Sequence, residues 1–169
     1  MSDATLDRRT WRIESVAVED PRAVSLRGLL DADLGERYRR LNDAESPQRR
    51  AEREEALRVH PEQVVATLLA VETDGTPAGH VLLRRLGEER ELKRLIVAPE
   101  FRGRGIARAL VAETIAAARA DGGHRLILQT GAMQPESIAL YESAGFTRIP
   151  VYQPYVRTMP RSICFALPL

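Results

Sequence analysis

The residues best placed to do chemistry lie in one stretch, Glu91 to Arg108, which reads ELKRLIVAPEFRGRGIAR. Its apolar part, Leu92–Val97, predicts a strand that ends before Pro99, a residue with no N–H to give a sheet. A loop carrying Arg102, Gly103, Arg104 and Gly105 follows and opens directly into an Ala/Leu/Val-rich helix. The first turn of a helix leaves backbone N–H groups unpaired and sits at the positive end of the dipole, so this junction is an anion cradle. Without a Cβ, Gly103 and Gly105 let the backbone come close to a ligand. Two nucleotide motifs are excluded. A P-loop requires Lys-Ser/Thr after its second glycine. A dinucleotide fingerprint requires a third glycine where this chain has Arg108.

The elements that must hold this stretch fit in one domain spanning residues 1–169, with residues 1–9 expected to form a polar, flexible tail. Of the 169 residues, 44% are hydrophobic and 29% charged, as in ordinary soluble globular proteins. A net charge of +1 argues against a nucleic-acid-binding face. No apolar run approaches the ~18 residues of a membrane span, and there is no N-terminal apolar signal region. Cys164 is the single cysteine, so no internal disulfide forms and a cytoplasmic setting is expected. No Cys/His/Asp cluster has metal-ligand spacing, so no metal is expected.

In chain order, alternation predicts a first strand over Trp11–Val18. Asp20-Pro21 and Ser46-Pro47 each combine a capping side chain with proline at the first helical position. They open two helices, the first expected to break near Gly35 and resume around Tyr38 and Leu41. The second, charged helix runs from Gln48 to about Val59, a solvated face or an acceptor-side lid. Val64–Val71, Ala78–Leu86 and the strand beginning at Glu91 form an antiparallel series joined by turns at residues 73–77 and 87–90. The helix after the cradle places Ala107, Leu110, Val111, Thr114, Ile115 and Ala118 on one core-facing stripe and ends at Asp121-Gly122-Gly123. The strand Arg125–Thr130 should therefore run parallel to Leu92–Val97 in a βαβ unit. A short helix Pro135–Ser143, a strand Thr147–Tyr152, a Pro-rich loop and a last strand Ser162–Leu167 complete the chain.

Two motifs carry a resemblance. Arg102, Gly105 and Ala107 fit Arg-x-x-Gly-x-Gly/Ala, and Gln134 to Phe146 (QPESIALYESAGF) is similar to Asn-x-x-Ala-x-x-Leu-Tyr-x-x-x-Gly-Phe, with Gln134 and Ser137 in place of Asn and Ala. Together they resemble the Gcn5-related N-acetyltransferase (GNAT) family over about residues 64–169. The resemblance implies an α/β fold: a mixed, mostly antiparallel sheet with splayed central parallel strands and helices on both faces. It implies acetyl-CoA as cosubstrate and direct acetyl transfer to an amine, on a small molecule or a protein N-terminus or side chain. A non-catalytic acyl-CoA-binding module and transfer of a larger acyl group are the alternatives. A homodimer is expected by resemblance alone, with no nucleic-acid or membrane partner.

The resemblance also assigns roles. Tyr141 would protonate the leaving thiolate, since a phenol with a reference pKa of about 10 holds its proton at neutral pH. The N–H of Leu95 would stabilise the oxyanion, with Ile96 and Val97 bonding the pantetheine arm. Arg102, Gly103, Arg104, Gly105, Ile106, Ala107 and Arg108 would hold the pyrophosphate, and Gln134 would contact the cofactor. Glu91, at the opening of its strand, is the candidate base, with Lys93 on the same face able to pair with it and His80 as a fallback. Tyr152, Tyr155 and Arg157 border the acceptor. His60 and His124 read as surface or turn residues and Cys164 as a packed thiol.

Overall fold

The computed structural model describes residues 10–169, so the tail expected over residues 1–9 lies outside the described residues. Seven strands form one sheet in the order β1-β2-β3-β4-β5-β7-β6. These are β1 (Trp11–Val16), β2 (Val64–Glu72), β3 (Pro77–Leu86), β4 (Glu89–Val97), β5 (Arg125–Thr130), β6 (Thr147–Ile149) and β7 (Ile163–Pro168). Only β4 and β5 pair in parallel; every other neighbouring pair is antiparallel. The crossover between them is α4 (Ile106–Ala120), as the strand-helix-strand pattern requires.

Alternation along β2 divides the core into two layers. Leu68 and Ala70 pack with Leu110 and Val111 of α4, while Leu69 and Val71 pack with Ala23, Leu26 and Leu30 of α1 (Pro21–Arg37). Helices α4 and α1 therefore cover opposite faces. Asp20 caps α1 by accepting the Arg22 N–H at 2.9 Å, and Ser46 caps α3 (Pro47–Leu57) by accepting that of Arg49 at 3.3 Å. The first helix passes through Gly35 and breaks instead at Tyr38, where α2 (Arg39–Asp43) begins. Glycine permits a break without compelling one. The elbow sits at Tyr38 because its hydroxyl packs against Gly131, beyond the end of β5: a Cβ there would lie 2.0 Å from that oxygen.

Other boundaries differ from those expected, β1 ending at Val16 and α3 at Leu57. The strand after Phe146 is only Thr147–Ile149, and the Pro-rich loop contains one helical turn, α6 (Tyr155–Thr158). Strand β4 begins at Glu89, so Glu91 lies inside the strand rather than at its opening. Helix α5 (Pro135–Ser143) has the expected bounds.

Gly79 of β3 sets how closely α4 approaches the sheet. A Cβ there would lie 3.0 Å from Ile106 Cγ2, 3.0 Å from Leu110 Cδ1 and 3.1 Å from the Ile96 carbonyl. Gly79→Ala should therefore destabilise the fold by about 1–3 kcal/mol, the usual cost of overpacking. An unchanged midpoint in urea would mean that α4 steps back without loss.

Candidate functional site

The anion cradle forms where the sequence places it. Gly103 and Gly105 both have positive φ, +75° and +78°, and Gly105 is the N-cap of α4 with no side-chain cap. The first helical bond there is Ala109 N–H to the Gly105 carbonyl at 3.1 Å. The N–H groups of Gly103 through Arg108 thus have no protein acceptor among the described residues. Nothing lies within 4 Å of a Cβ built at either glycine, so the cradle is open. The arginine side chains differ. Arg102 Nε donates to the Val97 carbonyl at 3.1 Å, Arg104 is held by Glu72 at 2.8 Å and lies over the Phe101 ring, and Arg108 makes no ion pair among the described residues.

Beside the cradle the sheet opens. Pairing between β4 and β5 covers only Arg90–Leu92 against Leu126–Leu128. From Lys93 to Val97 the β5-facing edge of β4 has no strand partner, which leaves Leu95, Ile96 and Val97 along a cleft. At the same level the β3–β4 register slips between His80 and Leu82, where Arg94 has φ +59°, the one positive φ outside glycine among the described residues. A left-handed conformation costs an L-residue about 1–2 kcal/mol, so the bulge must be held by its surroundings. The Arg94 side chain pairs with Asp31 and donates to the Leu57 carbonyl at 3.4 Å. His80 lies 2.7 Å by Nδ1 from the Arg94 carbonyl and 3.2 Å by Nε2 from Arg27 Nη1. The ring is fully buried with both nitrogens engaged, so His80 is not available as a base.

On the α1 face of β4 lies a buried polar cluster. Glu91 has no exposed surface: Oε2 accepts from Arg84 Nε at 2.6 Å, and Oε1 accepts from Tyr152 at 2.8 Å and Tyr155 at 2.7 Å. Lys93 does not bond Glu91; its ammonium donates to the Tyr155 hydroxyl at 2.6 Å. Burial lowers the Lys93 pKa to about 8 against the opposing pull of Glu91. Burial, then the Glu91 charge, raises both tyrosine pKa values, so both stay protonated. Of the two tyrosines assigned to the acceptor, Tyr155 is wholly buried and only Tyr152 keeps exposed surface. Arg157 points to Glu52 at 3.2 Å. Arg84 was not foreseen. It was findable, because the tight turn at Gly87-Glu88 places residue 84 opposite 91.

Tyr141 lies on the other face, 5% exposed, its ring edge-on to Phe146 at 5.7 Å and tilted against Phe165 at 6.1 Å. Its hydroxyl makes no hydrogen bond with a protein group among the described residues, and burial raises its pKa, so the proton is retained. Gln134, N-cap of α5, reaches the Tyr38 hydroxyl at 3.4 Å. At the end of β5 the buried Thr130 Oγ1 has no hydrogen-bond partner among the described residues. His60 is partly exposed beside Glu55, His124 sits in the turn before β5, and Cys164 is 2% exposed.

The sheet is thus parted between its two parallel strands, with an open, anion-accepting cradle at the start of the next helix. The model of the acetyltransferase (GNAT) family matches residues 27–146. The chain belongs to the GNAT acetyltransferase family, whose reaction is acetyl-CoA-dependent acyl transfer. N-acetyltransferase 8 of Rattus norvegicus is 36% identical over 86 residues, which cover 51% of this chain and 36% of that protein, so the chain spans well under half of that relative. A Klebsiella pneumoniae structure, assigned as an acyl-CoA N-acyltransferase, is 26% identical with a TM-score of 0.73, covering 94% of this chain and 97% of that one. A GNAT acetyltransferase of Elizabethkingia anophelis, solved with acetyl-CoA bound, has the same fold (18% identity, TM-score 0.65, 96% and 100% covered). The residues present fit such a ligand: free N–H groups for a pyrophosphate, an unpaired β4 edge and the partnerless Thr130 hydroxyl for amides. Among the described residues no acidic, His or Cys group could hold a metal.

His80 also makes stability depend on pH. Burial, reinforced by Arg27 and Arg94 and opposed by its bond to the Arg94 carbonyl, lowers its pKa to about 4. Above its unfolded pKa of about 6.5 the ring is neutral in both states; below that the unfolded chain takes the proton first. Stability from this group is therefore lost between about pH 6.5 and 4, by about 3 kcal/mol at most. Urea unfolding across that range should show a shallower loss in His80→Asn; equal slopes would refute a neutral buried ring.

Proposed function

We propose that the chain transfers the acetyl group of acetyl-CoA directly to an amine, with the thioester carbonyl in the cleft between β4 and β5. The observation that supports this reading is the run of unpaired N–H groups over Gly103–Arg108 directly after a β4 edge whose pairing with β5 stops at Leu92. The N–H groups of Gly103–Arg108 would hold the pyrophosphate, the edge over Leu95–Val97 the pantetheine arm, with Gln134 and Thr130 beside it.

In this reading each proton has a place. The Leu95 N–H donates to the thioester oxygen as it gains charge. Tyr141 gives its proton to the sulfur as the C–S bond breaks. On the other face the amine nitrogen bonds to the carbonyl carbon and loses a proton to Tyr152, which passes its own to Glu91. Glu91 thus acts through Tyr152 rather than by contact, since it has no exposed surface. Burial keeps the Tyr141 phenol protonated and also makes it a weaker acid than a free phenol, so the role asked of it depends on direct contact with the sulfur as charge develops there.

Tyr141→Phe should lower turnover by about 10²-fold with a smaller effect on acetyl-CoA affinity, the size of a general-acid contribution. Undiminished free-thiol release would remove Tyr141 from the mechanism. Acetyl-CoA at 100 times its dissociation constant should stabilise the fold by about 2.7 kcal/mol. Gly105→Glu should abolish that shift in melting temperature by bulk and like charge, and a retained shift would move the pyrophosphate elsewhere. CoA binding without turnover on any amine would favour a non-catalytic module, and a larger shift with succinyl-CoA would favour a larger acyl group.

A further inference from the structure

We propose that His80 is a positioning residue for acyl transfer, which aims and polarises the Arg94–Leu95 peptide whose N–H receives the thioester oxygen. The inference rests on the reading of the Leu95 N–H as oxyanion donor. The tautomer follows from the partners. Arginine only donates, so Nε2, 3.2 Å from Arg27 Nη1, is the acceptor, and the ring proton is on Nδ1, 2.7 Å from the Arg94 carbonyl oxygen. Arg27 is itself fixed, because its other terminal nitrogen donates to the Val18 carbonyl at 2.6 Å. A chain of donors thus runs from α1 through the imidazole to one carbonyl of β4.

That carbonyl shares a peptide unit with the N–H of Leu95. The unit is trans, the one cis bond among the described residues being Gln153–Pro154, so its C=O and N–H point in opposite directions. A bond received at the oxygen strengthens the N–H as a donor and fixes the plane in which it lies. The position is the one that needs fixing, since Arg94 has φ +59° and the β3–β4 register slips there. The Arg94 side chain, paired with Asp31, anchors its own Cα but leaves the rotation of the following peptide plane free. His80 supplies the missing constraint. It is fully buried, on the opposite face of β3 from Gly79, which faces Ile106 and Leu110 of α4.

The test uses the full chain with acetyl-CoA labelled with carbon-13 at the thioester carbonyl, read by infrared difference spectroscopy. Wild type should lower the carbonyl stretch on binding. His80→Leu should lose most of that shift and about tenfold in turnover, while the dissociation constant of desacetyl CoA changes less than threefold. His80→Asn, whose amide can donate from nearly the Nδ1 position, should restore much of both. A wild-type shift that persists in His80→Leu overturns the inference alone and leaves the donor role of Leu95 standing. No shift in wild type overturns the Leu95 reading and this inference with it, while the cradle is judged separately by CoA affinity. If His80→Leu does not fold, Arg27→Met, which keeps the ring but frees its tautomer, should reduce the shift partially; an unchanged shift there overturns the inference.

Discussion

The structure depends on one interruption: β4 and β5 stop pairing after Leu92. A parallel pair at the centre of a sheet would ordinarily be zipped along its whole length, and every unpaired backbone group there costs free energy unless something answers it. Here the bulge at Arg94 turns the outer half of β4 away, and the next element is a helix start whose own N–H groups are also unanswered. The two sets of open groups adjoin, one along a strand edge and one at a helix N-terminus. A ligand with amides at one end and a pyrophosphate at the other satisfies both. The gap in the sheet and the cradle are made from consecutive residues.

Holding the strand open requires rigidity beneath it. The Glu91 cluster provides it: an arginine, a lysine and two phenols surround one carboxylate with no exposed surface. Removing one member of a buried pair typically costs 3–5 kcal/mol, because the other charge is left unpaired. A site serving only stability could use apolar residues at less cost. The cluster ties β3, β4 and the segment around α6 together at the point where β5 ceases to support β4. It also leaves Tyr152 as its one member at the surface.

Much of this was legible in the sequence because it is local. Pro99, Gly103, Gly105 and the helix after them encode a strand stop and a cradle through backbone chemistry alone, and Asp20-Pro21 and Ser46-Pro47 mark helix starts to the residue. The segment Pro135–Ser143 is bounded by proline and glycine and was equally plain. What failed depended on contacts between distant segments. The helix break lies at Tyr38 because of Gly131, 93 residues on in the chain's numbering and adjacent only in the fold. His80 and Glu91 read as titratable residues on strands; nothing nearby in sequence tells that Arg27 or Tyr152 completes their valence. Burial is a tertiary property, and its consequence here is that Glu91 is reached only through the side chains bonded to it.

Covering elements complete the argument. The end of α1 reaches across to α5 and the loop before it, where Arg37 pairs with Glu136 in the first turn of α5 at 2.5 Å and donates to the Met133 carbonyl at 3.1 Å. Tyr38 lies against Gly131 and within 3.4 Å of Gln134. Helix α1 thus starts on the α1 face of β3 and β4 and ends on the far bank of the cleft, bridging the two halves of the parted sheet. The same helix supplies Arg27 to His80 and Asp31 to Arg94. One helix therefore both sets the bulge that opens the sheet and spans the opening. The position of α1 and the conformation of the peptide at Arg94 are thus tied through Arg27, His80 and Asp31.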